Sequence, residues 1–127
     1  MVRARGRIVL VDDDESVCRA LARLLRSFGF EVRTFGSAAE LLAAGVPDDT
    51  RCLVVDVRMP EMGGVEMCEQ LEASGCRVAK VFVTAHGTED LSSLVLQGAP
   101  ILQKPVNAAQ LVAAIEAASP LERRPAR

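Results

Sequence analysis

The apolar run Ile8–Val11 leads straight into Asp12, Asp13, Asp14 and Glu15. A second apolar run ends at Asp56, a third at Thr84, and a short fourth is followed by Lys104 and Pro105. Like charges about 4 Å apart repel by roughly 4 kcal/mol at an effective dielectric near 20, so carboxylates gathered in one place need a cation to offset them. A magnesium-assisted phosphoryl site uses this set of groups. Mg2+ (or Mn2+) is a hard cation, held by one or two carboxylates together with phosphate and water oxygens. It would offset the repulsion among Asp12, Asp13 and Asp56. Asp56 can act as a nucleophile and form an aspartyl phosphate. The ammonium of Lys104 and the hydroxyl of Thr84 can neutralise the oxygens of the transferring group.

These groups are far apart in the chain, so the elements must bring them together. "RIVLV" (7–11) reads as a buried strand. Val17, Leu21, Leu24, Leu25 and Phe28 follow at helical spacing, with Arg19, Arg23 and Arg26 opposite and Gly29 as C-cap. "FEVRTF" (30–35) alternates like a less buried strand. Ser37 and Glu40 form a capping box for a helix to about Ala44. After the loop "VPDDT", "CLVVD" (52–56) is again a buried strand, and "VRMPEMGG" (57–64) has turn chemistry. A helix is predicted over 65–73, stopped by Gly75, then a strand over 78–84 and a short helix over 90–97. "ILQ" (101–103) is the last strand, and Asn107 with Gln110 caps a final Ala-rich helix.

Alternating strands and helices with non-alternating apolar strands specify a parallel sheet with helices on both faces. Ligands bind such sheets outside the carboxyl ends of the strands. Asp12, Asp56, Thr84 and Lys104 all fall at those ends.

A chain of 127 residues fits one domain that folds without metal or disulfides. Its net charge of −2 excludes a strong overall field for nucleic acid or anionic membrane. Cys18, Cys52, Cys68 and Cys76 contain no Cys-x-x-Cys pair and read as reduced thiols of a cytoplasmic protein. The basic start is followed by only four apolar residues, too few for a signal peptide, and no run is long enough to span a membrane.

The stretches "VDDDES", "LVVDVRMPEMGG", "FVTAHG" and "QKP", in this order, resemble the receiver domain of two-component response regulators. The resemblance implies a flavodoxin-like, doubly wound, five-stranded sheet of order 2-1-3-4-5. The receiver would span 7–119, with a basic extension over 1–6 and a polar tail or linker over 120–127. It makes Asp56 the phosphoacceptor. Asp13 and Asp56 would ligate Mg2+, Asp12 would act through water, and the backbone carbonyl of Arg58 would be a further ligand. Thr84 would swing toward the phosphoryl group, Lys104 would pair with it, and the Lys104–Pro105 bond would be cis. The partners implied are a histidine kinase or a phosphotransfer protein, with a homodimer compatible. Chemistry would be limited to self-phosphorylation from small acyl phosphates and self-dephosphorylation. Arg58 and His86 lie where side chains could modulate that loss, although His86, the only histidine, reads first as a surface-loop residue. Asp14 and Glu15 read as acids in a first helical turn, and Met59, Met62 and Met67 as packing residues.

Two departures from the family pattern stand out. Ile101 occupies the switch position, three before the lysine, where an aromatic ring is usual. Only 19 residues separate Thr84 from Lys104, which shortens the fourth-helix region. No helix-turn-helix fits after residue 119, so direct nucleic-acid binding by this chain is not expected. Two other readings compete. Asp12-x-Asp14 mimics the nucleophile motif of a haloacid-dehalogenase-like phosphatase, but no aspartate follows Asp90 and no cap domain is present. A degenerate receiver used only as a docking scaffold would fail to accept phosphate at Asp56.

Overall fold

The computed structural model describes residues 5–85 and 98–120. The predicted helix over 90–97, His86, and the polar tail beyond Pro120 lie outside them. Five strands, β1 (Arg7–Val11), β2 (Glu31–Phe35), β3 (Thr50–Asp56), β4 (Ala79–Thr84) and β5 (Ile101–Gln103), form one parallel sheet of order β2-β1-β3-β4-β5. Four helices flank it among the described residues: α1 (Glu15–Ser27), α2 (Ala38–Ala44), α3 (Gly64–Ala73) and α4 (Ala108–Ala118).

Successive strand residues point to opposite faces, and both faces are covered, which is why these strands are apolar without alternation. Ile8, Leu10, Val54, Val81 and Val83 pack with Leu21 and Leu25 of α1 and with Leu111 and Ile115 of α4. Val9, Val11, Leu53, Val55 and Phe82 pack with Leu41 of α2 and with Met67 and Leu71 of α3. Met67 is fully buried, and Met59 and Met62 pack at the edge of the same cluster.

The helix ends follow local chemistry. At the end of α1 the N–H of Gly29 donates to the carbonyl of Arg26, and that of Phe30 to Leu25. This paired pattern needs a left-handed residue, and Gly29 sits at φ +96°. Ser37 accepts the N–H of Glu40, while Glu40 reaches back one residue further than a standard capping box, to the N–H of Gly36. β3 begins at Thr50, earlier than its apolar run, because Thr50 pairs with Arg7 of β1, and the register then skips Arg51 before Cys52 pairs with Ile8.

Candidate functional site

Asp12 follows β1 directly and is 3% exposed. Its N–H donates to the carbonyl of Phe35, and its own carbonyl accepts the Cys18 thiol at 3.2 Å. Oδ1 accepts the N–H of Asp14 at 2.9 Å, and Oδ2 accepts Nζ of Lys104 at 2.9 Å. Asp14 proves to be the N-cap of α1 rather than part of its first turn. Its Oδ1 accepts the hydroxyl and N–H of Ser16 and the N–H of Val17. The Ser16 hydroxyl bond, then that of Val17, holds this carboxyl below its ordinary value. Glu15 does lie in the first turn.

Asp56 ends β3 and is 6% exposed. Its Oδ2 lies 3.6 Å from Nζ of Lys104, and its Oδ1 faces the N–H of Arg58 at 3.4 Å. Burial, and then the charge of Asp12, push its carboxyl up to about 6, against the opposing pull of Lys104. The Lys104 ammonium responds in the other direction. Burial alone would lower it, but the hydrogen bond and charge of Asp12, with the charge of Asp56, hold it above its ordinary value. Lys104 also donates its backbone N–H to the carbonyl of Thr84 at 2.8 Å, which ties the ends of β4 and β5 together. Thr84 is 2% exposed. The Lys104–Pro105 peptide bond is cis.

The loop after Asp56 is shaped by backbone contacts. The N–H of Met62 bonds to the carbonyl of Pro60 across Glu61, which sits at φ +71°. That is the rare, strained form of a γ-turn. The chain then enters α3 through Gly63 and Gly64. A Cβ on Gly64 would run into the Asp56 carbonyl oxygen and Cγ1 of Val55. The N–H of Gly64 meanwhile donates to Val57 at 3.0 Å. The first turn of α3 thus rests on the backbone of the acid itself.

One ligand oxygen from each of Asp12, Asp13 and Asp56 lies within 4.8 Å of the others. Opposite oxygens on octahedral Mg2+ stand about 4.2 Å apart at its usual bond length. Asp13 is exposed, so rotating its side chain covers the difference, and the donor set fits a hard divalent cation. Lys104 already offsets part of the repulsion between Asp12 and Asp56.

The structure therefore gathers Asp12, Asp13, Asp56 and Lys104, with Thr84 beside Lys104 at the adjoining strand end. Arg58 is exposed in the loop after Asp56. Ile101 is half-buried in β5, in register with Phe82 of β4, and packs against the α2–α3 cluster. The four cysteines are free, and burial pushes Cys18 to about 11 and Cys52 and Cys68 to about 12. Sequence reasoning missed the Cys18 thiol on Asp12, for which the sequence carries no signal. It also missed the close approach at Gly64, which the glycine pair just beyond a buried strand could have flagged.

The family described as response regulator receiver domain matches residues 8–116. Transcriptional regulatory protein FixJ of Azorhizobium caulinodans is 42% identical over 110 residues, which cover 85% of this chain and 52% of that protein. Nodulation protein W of Bradyrhizobium diazoefficiens is 36% identical over 119 residues, 92% of this chain and 52% of that protein. Among solved structures, the response regulator StyR aligns with a TM-score of 0.82 at 41% identity, covering 91% of this chain and 60% of that one. Full-length FixJ from B. japonicum gives 0.77 at 33% identity, over 90% and 57%. The chain spans about half the length of the curated relatives it matches. No helix among the described residues is long and apolar enough to cross a membrane. With the sheet order, the convergent acids and these matches together, the chain belongs to the response regulator receiver domain family, the signal-receiving module of two-component systems.

Proposed function

We infer that Asp56 accepts a phosphoryl group from a phosphohistidine of a kinase or phosphotransfer protein, or from a small acyl phosphate. The observation that carries this reading is the placement of Lys104 between Asp12 and Asp56 at one sheet edge. In the transfer, an Asp56 Oδ attacks phosphorus, the bond from phosphorus to the donor breaks, and its electron pair leaves with the donor. Asp13 and Asp56 are the better direct ligands for Mg2+, because both oxygens of Asp12 already accept hydrogen bonds. The cation would neutralise charge on the phosphoryl oxygens. Lys104 is close enough to Asp56 to exchange Asp12 for the new phosphoryl group, and Thr84 stands at the adjoining strand end to hydrogen-bond it. The backbone carbonyl of Arg58 would complete the ligand set.

The receiver spans 7–119 and works in the cytoplasm, where its four free cysteines stay reduced. Its relatives named as transcriptional regulators suggest control of a separate output, with nucleic acid bound elsewhere than in this chain. The output face is atypical, since Ile101 stands at the switch position. The phosphatase reading loses ground at Asp14, whose carboxylate is occupied in capping α1. Intact mass after incubation with acetyl phosphate and Mg2+ tests the assignment. One phosphoryl adduct is expected in wild type and none in Asp56→Asn. An adduct that persists in Asp56→Asn moves the acceptor to another acid. No adduct in wild type leaves the docking-scaffold reading.

A further inference from the structure

At the sheet edge opposite Asp56, Arg51 in β3 is a cation only 7% exposed. Its Nε donates to the carbonyl of Ser119 at 2.9 Å and to the Ser119 hydroxyl at 3.2 Å. Its Nη1 donates to the carbonyl of Arg5 at 2.7 Å. Ser119 is the C-cap of α4, a helix with no basic residue in its own last turn. Arg51 therefore supplies, from another element, the positive charge that a helix C-terminus favours. Arg5 in turn pairs with Glu116 of α4 at 2.8 Å and lies over the ring of Phe30, where Arg51 also lies. Gly6 turns the chain beneath Arg51 at φ +96°, and its carbonyl accepts the N–H of Glu31. A Cβ there would stand 3.2 Å from Cδ of Arg51.

We propose that Arg51 is a clasp that binds the strap Arg5–Gly6 and the end of α4 into one unit, so that these two segments loosen or hold together. A rigid fork bonding two carbonyls suits this role, because losing it strips partners from both at once. The clasp stands apart from the phosphoacceptor, at the other end of the same strand.

Amide hydrogen exchange on the full chain tests this. In Gly6→Ala, the last turn of α4 and Ser119 should exchange at least about tenfold faster, although the change lies in the strap. In Arg51→Met, Ser119, Arg7 and Glu31 should all speed up, while Val9 and Leu53 keep their rates. If Arg51→Met does not fold, Arg51→Lys replaces it, keeping the charge but losing the fork, and the same amides should speed up. Wild-type rates at Ser119 in Gly6→Ala, loosening of only one segment in the Arg51 variant, or a uniform increase at all amides would each overturn the clasp.

Discussion

The Lys104 ammonium bonds Oδ2 of Asp12 at 2.9 Å, on a carboxylate that is 3% exposed. This pair answers part of the repulsion problem posed by the acid cluster, since one offsetting cation is built into the chain. Removing one partner of a buried ion pair strands the other, at about 3–5 kcal/mol when solvent is excluded. Here the site opens to water on the Asp13 side, so Lys104→Met should cost about 2 kcal/mol in metal-free protein at pH 7. Urea melts read this directly. Because the stranded acids can take up protons, the loss should shrink at pH 5. An equal loss at both pH values would mean that Lys104 stabilises by packing, not charge.

The raised Asp56 carboxyl gives the metal-free protein an unusual pH dependence. A carboxyl at about 6 when folded and 3.8 ordinarily binds more protons folded than unfolded between those values. Its contribution is fully present below the unfolded value and is lost as pH rises through about 6. Metal-free wild type should therefore be more stable at pH 5 than at pH 7, by about 1 kcal/mol after allowing for solvent at the open side. Asp14 and Glu72 are lowered groups, so their contributions are lost only in more acid solution and do not offset this window. In urea melts at the two pH values, Asp56→Asn should abolish the difference and be the more stable protein at pH 7. A wild-type profile retained in Asp56→Asn would assign the titration to another group.

Asp13 separates binding from stability. It is the exposed member of the cluster, so Asp13→Asn should change metal-free stability by no more than about 0.5 kcal/mol. Mg2+ affinity by calorimetry should fall at least about tenfold, the loss of one charged ligand. Unchanged affinity would remove Asp13 from the ligand set.

Much of this was readable in the chain, for a physical reason. Strands buried on both faces must be apolar throughout, so the runs ending at Val11, Asp56 and Thr84 announce both strand and terminus. Ser37 and Asn107 mark helix starts because their side chains accept amide bonds there. Contacts that depend on three-dimensional approach were not readable. Asp14 looks like any acid near a helix start until its bonds to Ser16 and Val17 are seen. Arg51 looks like a strand-end charge until Arg5 and Ser119 close on it.

Gly64 illustrates a positional requirement with a functional consequence. Any Cβ there collides with the Asp56 backbone, so Gly64→Ala must move α3 or the acid. Backbone can yield only partly, and a destabilisation of about 2–3 kcal/mol is expected, as for overpacked sites. Phosphorylation from acetyl phosphate should slow even where the variant is fully folded, because Asp56 is displaced. Wild-type rates in folded Gly64→Ala would show that α3 alone absorbs the shift.

Signal output is the sharpest remaining test. A phosphoryl group biases a two-state element only through contacts that differ between the states. Under the proposed role of Asp56, Thr84 and Lys104, joined backbone to backbone, would supply such contacts at the site. Outward from them the next element is Ile101, in register with the fully buried Phe82 and packed on the α2–α3 cluster. A β-branched side chain has few rotamers and carries no ring to swing between two positions. Beryllofluoride with Mg2+, a phosphoryl mimic, should therefore change amide exchange strongly at Thr84, Ala85 and Lys104. It should change exchange only weakly at residues 99–103 and along α4. Ile101→Tyr would restore a ring at the same place and should widen the response to those residues. A large, concerted response at 99–103 and α4 in wild type would show that this face transmits without an aromatic, and Ile101 would lose its role as the weak link.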